Sequence, residues 1–219
     1  MKILLAFAST LLLSVAAQAS PADDAKAKAQ SVCAACHGPD GNSFNGEWPK
    51  LAGQHASYIA TQLQLLRCQG DKGADCPLKM RRYSDLNRIP PNGSLMIAQA
   101  APLSDAEIEA LAAYYSQQHL KPGVADATLL PLGQKLYRGG SIANGTSACT
   151  ACHGPDGRGN AAAKFPAIGG QHAAYVELQL RAFRDGSRRG DANQIMRNIA
   201  ATLSDDEIRA LASYVQGLH

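Results

Sequence analysis

The sequence predicts an all-α fold in two tandem copies, on three observations. One half can be laid over the other along nearly the whole chain of 219 residues. Both copies carry helix-start signatures followed by amphipathic runs. No stretch shows the alternation of a half-buried strand.

The repeat is anchored on two pentapeptides, Cys33-Ala34-Ala35-Cys36-His37 and Cys149-Thr150-Ala151-Cys152-His153, each followed by Gly-Pro-Asp-Gly. They are offset by 116 positions, while Trp48-Pro49 and Phe165-Pro166, and Gly53-Gln54-His55 and Gly170-Gln171-His172, are offset by 117. Near the ends, Leu103-Ser104-Asp105 matches Leu203-Ser204-Asp205 at an offset of 100. The first half therefore holds about 17 extra residues, placed in the polar stretch from Cys68 to Gly93, a surface loop by its Gly, Pro and charge.

The helices follow in order. One precedes each pentapeptide, over Asp24 to Val32 and Pro131 to Arg138. A second follows each Gly-Gln-His, over Tyr58 to Arg67 and Tyr175 to Arg184. The last begins at the capping boxes Ser104-x-x-Glu107 and Ser204-x-x-Glu207. Its apolar face is Ile108, Leu111, Ala112 and Tyr115 in one half, and Ile208, Leu211, Ala212 and Val215 in the other.

Residues 1–19 have the form of a secretory signal peptide: Lys2, an apolar run from Ile3 to Ala17, and a small-x-small site at Ala17-Gln18-Ala19. An uncleaved membrane anchor is the alternative. Cleavage leaves room for an N-terminal domain at 20–120, a linker at 121–130 opened by Lys121-Pro122-Gly123, and a C-terminal domain at 131–219. The formal net charge of +3 is too small to suggest a nucleic-acid partner. It is unevenly shared, with −1 over residues 20–120 and +3 over 121–219, a dipole that can orient the chain on a charged partner; drift between two duplicated halves is the alternative.

Cys-x-x-Cys-His reads as a c-type haem attachment site. Cys33, Cys36, Cys149 and Cys152 would hold two covalent haem c groups, with His37 and His153 as axial ligands. A redox disulfide or half a zinc site is the alternative for a single copy. The sixth ligand decides between functions. Met96 and Met196 both stand seven residues before Leu-Ser-Asp, which points to them, with a buried core methionine as the alternative; Met80, inside the extra segment, competes with Met96. His55 and His172 are the rival set, and could equally cap or pack the helices they precede. His119 and His219 lie near the domain ends as solvated residues. Cys68 and Cys76 are left over, and an exported chain favours a disulfide between them over two separate thiols.

On these motifs, together with Pro49 to Gln54, Pro166 to Gln171 and Gly133 to Gly140, the chain resembles the dihaem class I cytochromes c of the cytochrome c4 family. The resemblance covers the whole mature chain. It implies two tandem class I cytochrome c domains, each a small helical fold around one haem, with His/Met iron in both. It implies that the carbonyls of Pro49 and Pro166 orient the axial histidines; loop-breaking prolines are the alternative. It further implies a periplasmic electron carrier, soluble or loosely associated with the membrane surface. Its partners would be a quinol-oxidising cytochrome bc complex or another donor, and a haem-copper terminal oxidase. The Cys68 to Gly93 loop departs from that pattern. An electron-accepting subunit of a periplasmic dehydrogenase complex fits the same residues. A dihaem peroxidase fits less well, because Met96 and Met196 close both irons.

Overall fold

The computed structural model describes residues 20–70 and 93–219, and over these the chain is helical. The expected signal peptide at 1–19, Cys76 and Met80 lie outside the described residues. In the first half α1 (Pro21–Lys28) runs through a π turn (Ala29–Cys33) into α2 (Ala34–His37), followed by α3 (Ala56–Gly70), α4 (Gly93–Ala100) and α5 (Asp105–Ser116). In the second half α6 (Leu130–Gly139), α7 (Thr150–His153), α8 (Ala173–Arg184), α9 (Ile195–Ala200) and α10 (Asp205–Gln216) repeat that order. Extended pairing among the described residues is limited to two isolated bridges, Ser141 with Thr146 and Asn160 with Phe165. No described helix is long and apolar enough to cross a membrane.

Both expected capping boxes form, and a third caps α1 through Ser20 and Asp23. Each supplies partners for free amides at a helix start. The buried face of α5 is the predicted Ile108, Leu111, Ala112 and Tyr115. On α10 the buried set widens to include Ala210, Ser213 and Tyr214. The reason is that α10 is enclosed by α6, α8 and the linker, whose Asp126 amide donates to Ser213 Oγ at 2.8 Å.

Two cores result. Ala25, Ala29, Ile59, Ile108, Leu111 and Tyr115 pack together in the first half. Leu136, Tyr137, Ile208, Leu211, Tyr214 and Val215 do so in the second. Paired arginines lock the helices around them. Arg67 donates to Leu103 O at 2.8 Å and pairs with Asp105, and Arg184 donates to Leu203 O at 3.0 Å and pairs with Asp205. The end of α3 or α8 is thereby fixed to the start of α5 or α10, and α4 or α9 is held between them.

The linker is tied at both ends. Asn42 Nδ2 donates to His119 O at 2.9 Å, and its Oδ1 accepts from the Lys121 amide at 2.8 Å. Gln216 Nε2 donates to Val124 O at 2.8 Å. Helix α6 starts at Leu130, so the helix takes the last residue of the expected linker.

Two predictions follow from this packing. A Cβ on Gly133 would stand 2.3 Å from Ala210 O and 2.7 Å from Tyr214 Cβ, where α6 crosses α10. Gly133→Ala should therefore destabilise the second domain by about 1–3 kcal/mol, read from its denaturant midpoint. Glu107 is held down to about 2 by its hydrogen bond to Lys28, and then by the Ser104 amide and hydroxyl. A carboxyl depressed on folding stabilises the native state above its ordinary range, and that support fades as the pH falls toward the folded value. The stability gap between the natural chain and Glu107→Gln should be full at pH 6 and close toward pH 2 in urea unfolding. A gap that is constant with pH would contradict this role for Glu107.

Candidate functional site

The two sites are built by the same local devices. In the first half the π turn carries the chain from α1 directly into Cys33, and such one-turn widenings re-aim the residues that follow. One helical turn then brings Cys33, Cys36 and His37 into a single unit. It stops at Gly38, with φ of +77°, where a Cβ would meet Asn42 O at 2.5 Å. In the second half α6 ends at Gly139, and the loop closed by Ser141 and Thr146 delivers Cys149 instead.

His37 and His153 are buried, and each is fixed through Nδ1. His37 Nδ1 lies 2.9 Å from Pro49 O, and His153 Nδ1 lies 2.9 Å from Pro166 O. A carbonyl can only accept, so Nδ1 carries the proton and Nε2 holds a free electron pair. Burial lowers the pKa of both rings and keeps them neutral, as a metal-binding imidazole must be. Cys33, Cys36, Cys149 and Cys152 are half-buried and form no disulfide. Burial pushes the Cys149 thiol up to about 11 and raises that of Cys33 as well.

Met96 is half-buried on α4, which packs on α3, and Met196 is half-buried on α9, which packs on α8. The two methionines thus occupy one place in the repeat. Left-handed Asn193 and Gln194, with φ of 54° and 60°, turn the chain into α9. In the first half His55 Nε2 is buried without a hydrogen-bond partner, and Tyr115 Oη is buried with only the Cys33 thiol beside it. Buried polar atoms are ordinarily satisfied, so these two fit a site that receives a further group with hydrogen-bonding capacity. The free thiol pair, the neutral imidazole and these atoms together fit a covalent haem.

The rival histidines do not behave alike. His172 Nε2 reaches across to Ser43, 2.9 Å from both its carbonyl and its hydroxyl, whereas His55 Nε2 has no such partner. His119 and His219 are exposed. Cys68 is disulfide-bonded, while its expected partner Cys76 lies outside the described residues.

Residues that the motifs did not single out join the two sites. Gln54 bonds the backbone of Ala167 through Nε2 at 2.7 Å and Oε1 at 3.0 Å. Gln171 bonds the backbone of Lys50 through both side-chain atoms at 2.9 Å. Arg188 donates to Tyr58 Oη at 2.8 Å from over the Phe183 ring. The repeated Gly-Gln-His was the available signal for the glutamines, since no haem chemistry required a Gln there.

Two buried, carbonyl-anchored histidines beside paired thiols, on two copies of one helical domain, define a dihaem c-type cytochrome. The cytochrome c family model matches residues 22–118 and 132–219. The chain is 44% identical over 212 residues to cytochrome c4 of Stutzerimonas stutzeri, covering 95% of this chain and 96% of that one. It is 36% identical over 205 residues to a thiosulfate dehydrogenase electron acceptor of Thiomonas intermedia (strain K12), covering 90% and 83%. Among solved structures, reduced recombinant cytochrome c4 from Pseudomonas stutzeri aligns with a TM-score of 0.77 at 44% identity, covering 90% of this chain and 98% of that one. The chain belongs to the cytochrome c family, within its cytochrome c4 group. It is an electron-transfer protein rather than an enzyme, and each domain binds one covalent haem c.

Intact-mass measurement after acid–acetone extraction should find two haems retained per chain. In the Cys36→Ala variant, one thioether should be lost from the first domain while the second haem stays attached.

Proposed function

We propose that the mature chain is a periplasmic carrier that passes electrons from a quinol-oxidising cytochrome bc complex, or a similar donor, to a terminal oxidase. Residues 1–19 serve as the export signal, and the two domains span 20–120 and 131–219. Cys33 and Cys36, and Cys149 and Cys152, form the thioethers. His37 with Met96, and His153 with Met196, would hold the two irons. The observation that carries this reading is the equivalence of the two halves. Each has a buried histidine whose Nδ1 is held by a proline carbonyl, and each has a methionine at one shared place in the repeat.

The haem supplies reversible one-electron chemistry; the chain supplies the rest. His37 and His153 offer Nε2 to iron in a fixed orientation, and Pro49 and Pro166 raise their basicity. A methionine sulfur from Met96 or Met196 as the further ligand would raise the reduction potential and leave no open position for a substrate. Helices α3 to α5 and α8 to α10 would flank the two groups, and the charge difference between the halves would orient the chain on its partners.

A second reading has the relative from Thiomonas intermedia in its favour. That protein is a thiosulfate dehydrogenase electron acceptor, and this chain would then receive electrons as a subunit of a periplasmic dehydrogenase complex. Purification from the native membrane and periplasm separates the two. A free carrier elutes alone and is reduced by the quinol-oxidising complex, whereas a subunit elutes with dehydrogenase activity.

Met96→Ala should open the first iron to cyanide and lower its potential while the second haem's spectrum stays unchanged. Met80→Ala should alter neither haem. Reversed behaviour of the two variants would move the first domain's sixth ligand into the inserted segment. We assign Cys68 and Cys76 to one disulfide, so denatured, unreduced protein should show no titratable thiol. Two reactive thiols per chain would rule that bond out.

A further inference from the structure

We propose that Gln54 and Gln171 are positioning residues for the opposite domain's iron. Each completes a hydrogen-bonded chain that crosses the domain interface and lowers the reduction potential of the haem in the other half. This rests on the axial roles given above for His37 and His153.

The geometry lies in two peptide groups. Pro49 C=O and Lys50 N–H belong to one planar trans unit, so they point in opposite directions. On one side His37 Nδ1 donates to Pro49 O at 2.9 Å, and on the other Lys50 N donates to Gln171 Oε1 at 2.9 Å. The second half has the same arrangement. His153 Nδ1 donates to Pro166 O at 2.9 Å, and Ala167 N donates to Gln54 Oε1 at 3.0 Å. Two hydrogen bonds in series therefore join the histidine of each domain to a glutamine of the other.

The glutamines are held for this task. Both are buried. Each Oε1 also accepts from the amide of the next residue, His55 or His172, at 3.0 Å. Each Nε2 returns to the carbonyl of the residue it grips, Ala167 at 2.7 Å or Lys50 at 2.9 Å. Only a side chain with both an acceptor and a donor on one carbon can grip a peptide strand in this way. Glutamate has no donor there, and lysine has no acceptor. The residues gripped, Lys50 and Ala167, are themselves equivalent in the repeat, although their side chains have nothing in common. The backbone is the recognised element.

The physical consequence runs one way. A peptide whose N–H is well accepted is more polarised, so its carbonyl becomes a better acceptor; bonds in series strengthen one another by roughly 10–30% each. A better acceptor at Nδ1–H makes Nε2 more basic. A more basic ligand favours the ferric state and lowers the potential. Removing the glutamine acceptor should weaken the proline carbonyl and raise the potential of the other domain's iron. A clamp that only held the domains together would have no such crossed effect.

The test uses the full, haem-loaded mature chain. Cys36→Ala leaves one vinyl group of the first haem intact and shifts its absorbance, so the two haems can be followed separately. In that background, Gln171→Leu should raise only the first haem's potential, by about two- to threefold in its reduction equilibrium constant. Gln54→Leu should raise only the second. Gln171→Glu keeps the acceptor for Lys50 N–H, and the first haem should show no rise. A shift confined to the variant's own domain, an equal shift in both haems, or lost thermal stability with unchanged potentials would overturn the proposal. So would a rise in Gln171→Glu matching that in Gln171→Leu. The starting protein's mass is a separate control. Fewer than two attached haems there would defeat the underlying site reading rather than the cross-domain effect.

Discussion

In both halves the buried histidine of the Cys-x-x-Cys-His motif gives its Nδ1 proton to a proline carbonyl at 2.9 Å, which leaves the free electron pair on Nε2. Much of the architecture serves that bond. The glycine that stops α2 sends the chain around so that Pro49 returns to the ring 12 residues later, and the second half closes the same circuit in 13. Burial by the flanking helices then keeps both rings neutral. Without the carbonyl, the tautomer and the ring plane would both be free, and the electron pair would have no fixed direction.

The halves are joined at the residues that follow those prolines, which makes the interface part of the site rather than a seam beside it. Lys50 lies there almost fully covered, donating to Gly170 O at 3.2 Å and to Lys121 O. Burial lowers its pKa, and Ala167 stands at the matching position in the second half. The backbone grip is therefore symmetric while the charge beside it is not. His172 and His55 differ in the same sense, the first satisfied by Ser43 across the interface and the second without a partner. Two haems in near-identical frames would thus experience different fields.

The sequence made local features readable. A capping box, an amphipathic face and a pentapeptide are each decided within a few residues, which is why α5, α10 and the positions of His37 and His153 could be read directly. The prolines were readable through the family resemblance, although their distance from the pentapeptide differs by one residue between the halves. What escaped was long-range. Gln54 looks like any polar residue before a helix until the other domain is placed against it. Ala210 and Ser213 look solvent-facing until α6 and the linker cover them. The π turn before Cys33 has no counterpart in the second half, where a bridged loop does the same work. No propensity distinguishes those two routes to one geometry.

With the proposed ligand set, the repeat encodes two six-coordinate irons with histidine and methionine ligands. Near-infrared magnetic circular dichroism of the fully ferric protein, calibrated against haem content, tests it most directly. Two sulfur-to-iron charge-transfer intensities per chain, with no high-spin signal, are predicted. Intensity for one methionine-ligated iron, or a high-spin component that binds added cyanide rapidly, would contradict the account.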